Sequence, residues 1–223
     1  MKSKKLISLA LMATFFISCS TKEIKVAIVG DSITEGYGLS NQSRNAYPVM
    51  VDSILGSDYS VLNCGRSGTT VQKRGDTPYW NCSEFYNVFA YKPDIIVIKL
   101  GTNDVRPRMD GKPGTNWNAE DFSEDYQAMI DTFNTINSTP KIFLCLPTPI
   151  YENIFNWNDG DSCLRASVDP AIKTLAQVNK LPVIDLHAHM SNQPEDFIDG
   201  IHPNEKGTRI MAEFIASSIK GNK

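Results

Sequence analysis

Five short apolar runs, set apart by longer amphipathic stretches, constrain this 223-residue chain more than any other feature. Ile24–Val29, Ser60–Asn63, Ile95–Leu100, Ile142–Leu146 and Val183–Leu186 are rich in β-branched residues and four to six residues long. They lack the two-residue alternation of a half-solvated strand, as expected of strands covered on both faces. Between them, Ala46–Leu55, Glu120–Ile136, Ser167–Asn179 and Asn204–Ile219 read as helices. In the second of these, Phe122, Tyr126, Met129, Ile130 and Phe133 recur at three- and four-residue steps and mark one buried face. Strands alternating with helices imply parallel pairing through right-handed crossovers. The predicted fold class is therefore α/β, a three-layer α/β/α sandwich around a five-stranded parallel sheet. A chain of 24.8 kDa buries a core without a metal or disulfide staple. No repeat or Pro/Gly-rich linker divides it, so it reads as one domain.

Composition narrows the partners. Hydrophobic residues make up 41% and charged residues 21%, ordinary for a globular protein. A formal charge of −3 leaves no cationic surface for a phosphate backbone, which argues against a nucleic-acid partner.

The N-terminus reads as an address. Three lysines within Met1–Lys5 precede thirteen uncharged residues, Leu6–Ser18. A stable membrane span needs about 20 apolar residues, whereas this length suits a signal peptide, here residues 1–18. The run ends at Ile17-Ser18-Cys19, which resembles the lipobox of bacterial lipoproteins, although Phe16 stands where that pattern prefers Leu. On this reading Cys19 is lipidated and the only membrane contact is its anchor, on the periplasmic or cell-surface side. The alternative is ordinary secretory cleavage near Ser18 or Ser20. Either way the protein is exported, with a domain spanning 19–223. Without residues 1–18 the chain has 19 basic against 25 acidic residues, a formal charge of −6. Of the remaining cysteines, Cys64 and Cys145 end apolar runs and read as core residues, while Cys82 and Cys163 lie in polar stretches and form the candidate disulfide.

In a parallel α/β fold, ligands bind beyond the carboxyl ends of the strands. The first strand is followed by Gly30-Asp31-Ser32-Ile33-Thr34-Glu35-Gly36, the second by Asn63-Cys64-Gly65-Arg66-Ser67-Gly68 and the third by Gly101-Thr102-Asn103-Asp104. Asp199-Gly200-Ile201-His202-Pro203-Asn204 opens the last helix. A serine after a strand is most often a helix cap. Four such blocks in this order, however, resemble the SGNH (GDSL-type) hydrolases over nearly the whole chain beyond the N-terminal segment.

That resemblance implies a flavodoxin-like SGNH fold and a role for each matching residue. Ser32 matches the nucleophile and one oxyanion donor, and Gly65 and Asn103 match the other two donors. His202 matches the general base and Asp199 its carboxylate partner. The chemistry needs these residue types. A hydroxyl is a poor nucleophile until a base removes its proton, and imidazole near neutrality can accept that proton and return it to the leaving alcohol. Asp199, three residues upstream, would hold one imidazole tautomer, with Pro203 suited to the first helical turn. No cofactor or metal is implied.

His187 and His189 are rival bases and, with Asp185, resemble metal ligands, but no further convergent ligand is evident. Asp185 and His187 read rather as braces of the last loop. Asp104 reads as the organiser of the Asn103 turn, Asp31 as a partner of loop backbone, and Asn158-Asp159-Gly160-Asp161 as a turn. The long loops 105–118 and 147–167 overhang the Ser32 edge and carry Trp117 and Trp157. These two rings are candidate sugar platforms, or else pins that hold the loops to the body. Trp80, Tyr37, Tyr79 and Tyr151 lie in the same edge loops. Arg66, Arg106 and Arg108 would meet an acidic sugar or pair with surface acids. Polar loops disfavour a wide acyl groove. The expected activity is a serine esterase removing small acyl groups, acetyl foremost, from a glycan or small-molecule ester. A lysophospholipase or thioesterase acting on lipid acyl chains is the enzymatic alternative, and a non-catalytic glycan-binding lipoprotein the alternative of another class.

Overall fold

A computed structural model describes residues 22–109, 111, 114–136, 139–157 and 159–222. The expected signal segment, residues 1–18, and the expected lipidation site, Cys19, lie outside the described residues. Five strands, β1 (Ile24–Gly30), β2 (Tyr59–Gly65), β3 (Ile95–Lys99), β4 (Lys141–Leu146) and β5 (Val183–Asp185), form one sheet in the order β2-β1-β3-β4-β5. Every pairing is parallel. Neighbouring residues of β1 feed opposite faces: Ala27 and Val29 join one core, Val26 and Ile28 the other. Both faces are thus dry, which accounts for the unbroken apolar runs.

The helices used here are α1 (Ser32–Glu35), α2 (Tyr47–Leu55), α3 (Ser83–Tyr91), α4 (Ala119–Asn134), α5 (Asp169–Asn179) and α6 (Glu205–Gly221). Buried residues of α3, α4 and α5 cover one sheet face, and those of α2 and α6 the other, giving three layers. The face of α4 is the one its spacing marked: Phe122, Tyr126, Met129, Ile130 and Phe133 are all buried. Helix α3 was not foreseen. Its buried face is Phe85 and Val88, with Phe89 and Tyr91 packed half-buried beside them, a repeat of only two turns. The helix expected from Ser167 begins at Asp169, and its first two expected residues belong instead to a π-helical turn, Leu164–Val168.

The expected Cys82–Cys163 disulfide is absent: both thiols are free, and each meets an oxygen of its own loop. Cys82 donates to the Tyr79 carbonyl at 2.9 Å, and Cys163 lies 3.8 Å from the Asp159 carboxylate. Burial pushes the Cys64 and Cys145 thiols up to about 12, so both behave as small apolar core residues.

The order β2-β1-β3 makes the gap between β1 and β3 the point where connections leave in opposite directions, and a crevice opens there at the strands' carboxyl ends. Ser32 follows β1 and Asn103 follows β3, so both stand at that crevice.

Candidate active site

Local chemistry fixes the Ser32 turn. Asp31 caps α1, its Oδ1 accepting the Ile33 N–H at 3.0 Å. Ser32, as first residue of the helix, keeps an N–H that no intrahelical carbonyl can take. Beneath the turn lies a feature hidden in an apolar run: Lys99, fully buried at the end of β3, places Nζ 3.2 Å from both Asp31 carboxylate oxygens and 3.0 Å from Thr102 Oγ1. Burial pulls the Lys99 ammonium below its ordinary value, while the Asp31 charge opposes that pull. One ammonium therefore ties the Ser32 cap to the turn that carries Asn103.

His202 comes from the turn before α6. Ile198 N–H donates to the His202 carbonyl at 2.8 Å, and Tyr151 N–H donates to the Gly200 carbonyl at 2.8 Å, which clamps the turn against the loop after β4. Gly200 has φ +86°, and a Cβ there would lie 2.2 Å from the Glu152 carbonyl oxygen, so only glycine fits. Asp199 Oδ1 accepts the N–H groups of Ile201 at 3.0 Å and His202 at 2.8 Å, and its Oδ2 lies 2.7 Å from His202 Nδ1. Burial raises the Asp199 carboxyl, but these hydrogen bonds outweigh it and hold the group below the usual carboxylate range. An ionised carboxylate only accepts, so Nδ1 carries the proton and Nε2 is the free acceptor. Ser32 Oγ lies 2.9 Å from that Nε2. The structure thus brings Ser32, His202 and Asp199 into one hydrogen-bonded chain across 170 residues of sequence.

Asn103 is also at this edge. Its side-chain nitrogen donates to the Thr69 carbonyl at 3.1 Å, which leaves its second N–H available. Gly65 does not serve as expected. Its N–H is taken by Asn63 Oδ1 at 2.9 Å, and a Cβ on it would meet the Glu35 nitrogen at 2.2 Å. Gly65 lets α1 close down on β2 instead. Strand β2 runs two residues beyond the apolar run that announced it, so Gly65 lies in register with Gly30 rather than past the strand. Gly68 is the glycine beyond the strand. It has φ +78°, its N–H donates to no described residue, and it immediately precedes the Thr69 carbonyl that Asn103 holds. Its loop is fixed by Glu35, whose carboxylate accepts from the Ser67 N–H and hydroxyl, and by Asp104, whose carboxylate accepts the Val71 and Gln72 N–H groups. The sequence signal for Gly68 is its place two residues after the polar Arg66, inside a turn.

Trp157 acts as a pin. Trp157 is 5% exposed and packs over Gly160, which corrects its reading as a sugar platform. Trp117 is half-buried, its ring 5.0 Å from Phe122. Arg66 faces Glu84 at 3.9 Å, and Arg106 is buried against Asp76 at 3.0 Å. His187 pairs with Asp161 at 2.9 Å and His189 stacks on Phe214, so neither competes as a base. Asp185 caps the following turn through the Ala188 N–H. Among the described residues, no three His, Cys, Asp or Glu side chains converge as metal ligands.

A serine, imidazole and carboxylate chain at the switch point of a parallel sheet, beside an asparagine amide, is the arrangement of a serine hydrolase of the α/β class. Residues 28–210 match the model of the GDSL-like lipase/acylhydrolase family, and the chain belongs to that family. An acetylxylan esterase of Xylanibacter ruminicola is 37% identical over 216 residues, covering 88% of this chain and 43% of the relative. A multidomain esterase of Ruminococcus flavefaciens is 25% identical over 59% of this chain and 16% of its own length. The chain thus spans less than half the length of these curated relatives. Among solved structures, an acetyl xylan esterase, AlAXEase, superposes with a TM-score of 0.66 at 26% identity, covering 88% of this chain and all of that one. A carbohydrate acetylesterase family member from Sinorhizobium meliloti shares the fold, with a TM-score of 0.71 at 21% identity over 89% of this chain and 98% of that one.

Proposed function

We propose that this protein hydrolyses acetyl esters of carbohydrate through an acyl-serine intermediate. The observation that carries the reading is the continuous chain from Ser32 Oγ through His202 to Asp199, with contacts of 2.9 and 2.7 Å. Likeness to acetylxylan esterases supports acetylated glycan as the substrate.

In this scheme His202 Nε2 takes the Ser32 proton as Oγ bonds to the acetyl carbonyl carbon. The carbonyl becomes an oxyanion facing the N–H groups of Ser32 and Gly68 and the Asn103 amide, and each such donor is worth about 10²–10³ in rate. The C–O bond to the alcohol then breaks, and the imidazolium returns its proton to the departing oxygen. A water repeats the sequence on the acetyl-enzyme, releasing acetate and restoring Ser32. Asp199 steadies the imidazolium through Nδ1 and stays ionised throughout.

Acetate release from 4-nitrophenyl acetate tests the reading. Ser32→Ala is expected to lower kcat by about 10³-fold or more. Equal release by the variant and the parent would defeat it, and a chain-length profile peaking at long acyl groups would move the activity to lipids. Export and lipidation at Cys19 belong to the same proposal and rest on the N-terminal sequence.

A further inference from the structure

Few large apolar side chains are strongly exposed, and several of them gather around His202. Tyr37, 49% exposed, sets its ring 4.7 Å from the imidazole, and Phe155, 53% exposed, sets its own 6.5 Å away. Ile198, 50% exposed, stands next to Asp199 and reaches toward Gly38, beside Tyr37. Exposed aromatic rings add nothing to the core, and keeping them in water carries a cost that burial would remove.

The backbone that carries the two rings is pinned in place. Tyr37 N–H donates to the Ser32 carbonyl at 2.9 Å. Phe155 is presented by a loop built on one buried side chain, Asn153. Its Oδ1 accepts the Phe155 and Trp157 N–H groups, and its Nδ2 donates to the Tyr151 and Trp157 carbonyls. Trp157, buried below, anchors the same loop. A platform ordered before binding loses little entropy when a ligand arrives.

The chemistry says which half of an ester such a platform meets. Nε2 must hand its proton to the alcohol oxygen, so the alcohol departs from the His202 side, whereas the acyl oxygen faces Asn103 and Gly68 on the other. Resting on the function proposed above, we infer that Tyr37 and Phe155 form the leaving-alcohol subsite and that its occupant is a pyranose ring. The C–H face of the sugar lies on the aromatic rings. The rest of the glycan extends into the groove of about 610 Å³ between Tyr151–Ile154 and Phe197–Gly200, where the exposed Glu152 supplies a polar group for hydroxyls.

The test holds the acyl group constant and changes the alcohol. With acetylated xylo-oligosaccharide and vinyl acetate, both substrates give the same acetyl-enzyme, and kcat/KM reports its formation alone. Phe155→Ala is expected to lower kcat/KM for the oligosaccharide about three- to tenfold more than for vinyl acetate, and Phe155→Trp to restore the difference. The ratio of acetyl to butyryl turnover on 4-nitrophenyl esters stays as in the parent. Tyr86→Ala, which removes an equally exposed ring on α3, leaves both ratios unchanged. Equal losses on the two acetates, or an altered acetyl-to-butyryl ratio with alcohol preference intact, would overturn the assignment. If the parent enzyme cleaves vinyl acetate but no acetylated sugar, the carbohydrate reading fails instead. The subsite is then still read by 4-nitrophenyl acetate against vinyl acetate, since a flat aryl alcohol meets the same rings.

Discussion

Lys99 and Asp31 show how much of a hydrolytic centre rests on groups that never touch substrate. Both side chains are fully buried, and each satisfies the other at the seam between β1 and β3. Removing one member of such a pair leaves an uncompensated charge in the interior, a loss of about 3–5 kcal/mol. Lys99→Met is therefore expected to lower unfolding free energy by that amount in urea titration, and to reduce esterase activity in the fraction that stays folded. A change within 0.5 kcal/mol would show that the pair is not a net support. The sequence disguised this residue: Lys99 lies inside the apolar run Ile95–Leu100, and only its partner two strands earlier in the chain explains the charge. Ser32, Asn103, Asp199 and His202 were legible because each follows a strand or precedes a helix inside a recognisable block. Gly65 misled because its apolar run ended before its strand did. Tyr37 was placed among the aromatics of the edge loops, but Phe155 carries no local signal, since only the folded loop brings it to His202.

Among the elements, the junction of the π-helical turn 164–168 with α5 holds a second stressed group. Asp169 is 6% exposed, and its Oδ1 has no hydrogen-bond partner. It faces His187, Lys173, Asp185 and Asp161, and burial pushes its carboxyl up to about 6 against the pull of His187 and Lys173. The folded chain thus keeps a proton there up to about pH 6, whereas an unfolded Asp releases it near 3.9. The stability gained from that proton is complete below about pH 3.9 and is lost as pH rises through 6. Asp169→Asn imitates the protonated form, and is expected to stabilise the protein by about 1–2 kcal/mol at pH 8 and by little at pH 4, as read by thermal unfolding at both values. A gain that does not change with pH would contradict the assignment. Elements with long apolar stripes, such as α4 and α6, were readable in outline. Helix α3 and the π turn were not, because tertiary packing rather than periodicity fixes them.

At the scale of the whole molecule, the alternation of five apolar runs with helices was sufficient to define three layers and a parallel sheet, because strands dry on both faces leave few other arrangements. What composition could not disclose was cysteine pairing, since two polar-flanked thiols became separate loop anchors. The proposed N-terminal address makes its own prediction. In a bacterial host, alkyne-palmitate labelling of the full chain is expected to mark the parent protein and not Cys19→Ala. Label on both, or on neither, would remove the lipid anchor from the account.

The ammonium at the end of β3 has one more consequence. Because it bridges the cap of the serine's helix and the turn of the asparagine, those two parts of the machinery cannot drift apart without stranding ions in oil. Local breathing at this seam is thereby suppressed. Heat or denaturant should then take the nucleophile's alignment and the sheet itself together, so that a population midway through melting is a mixture of working molecules and unravelled ones rather than a crowd of slackened enzymes.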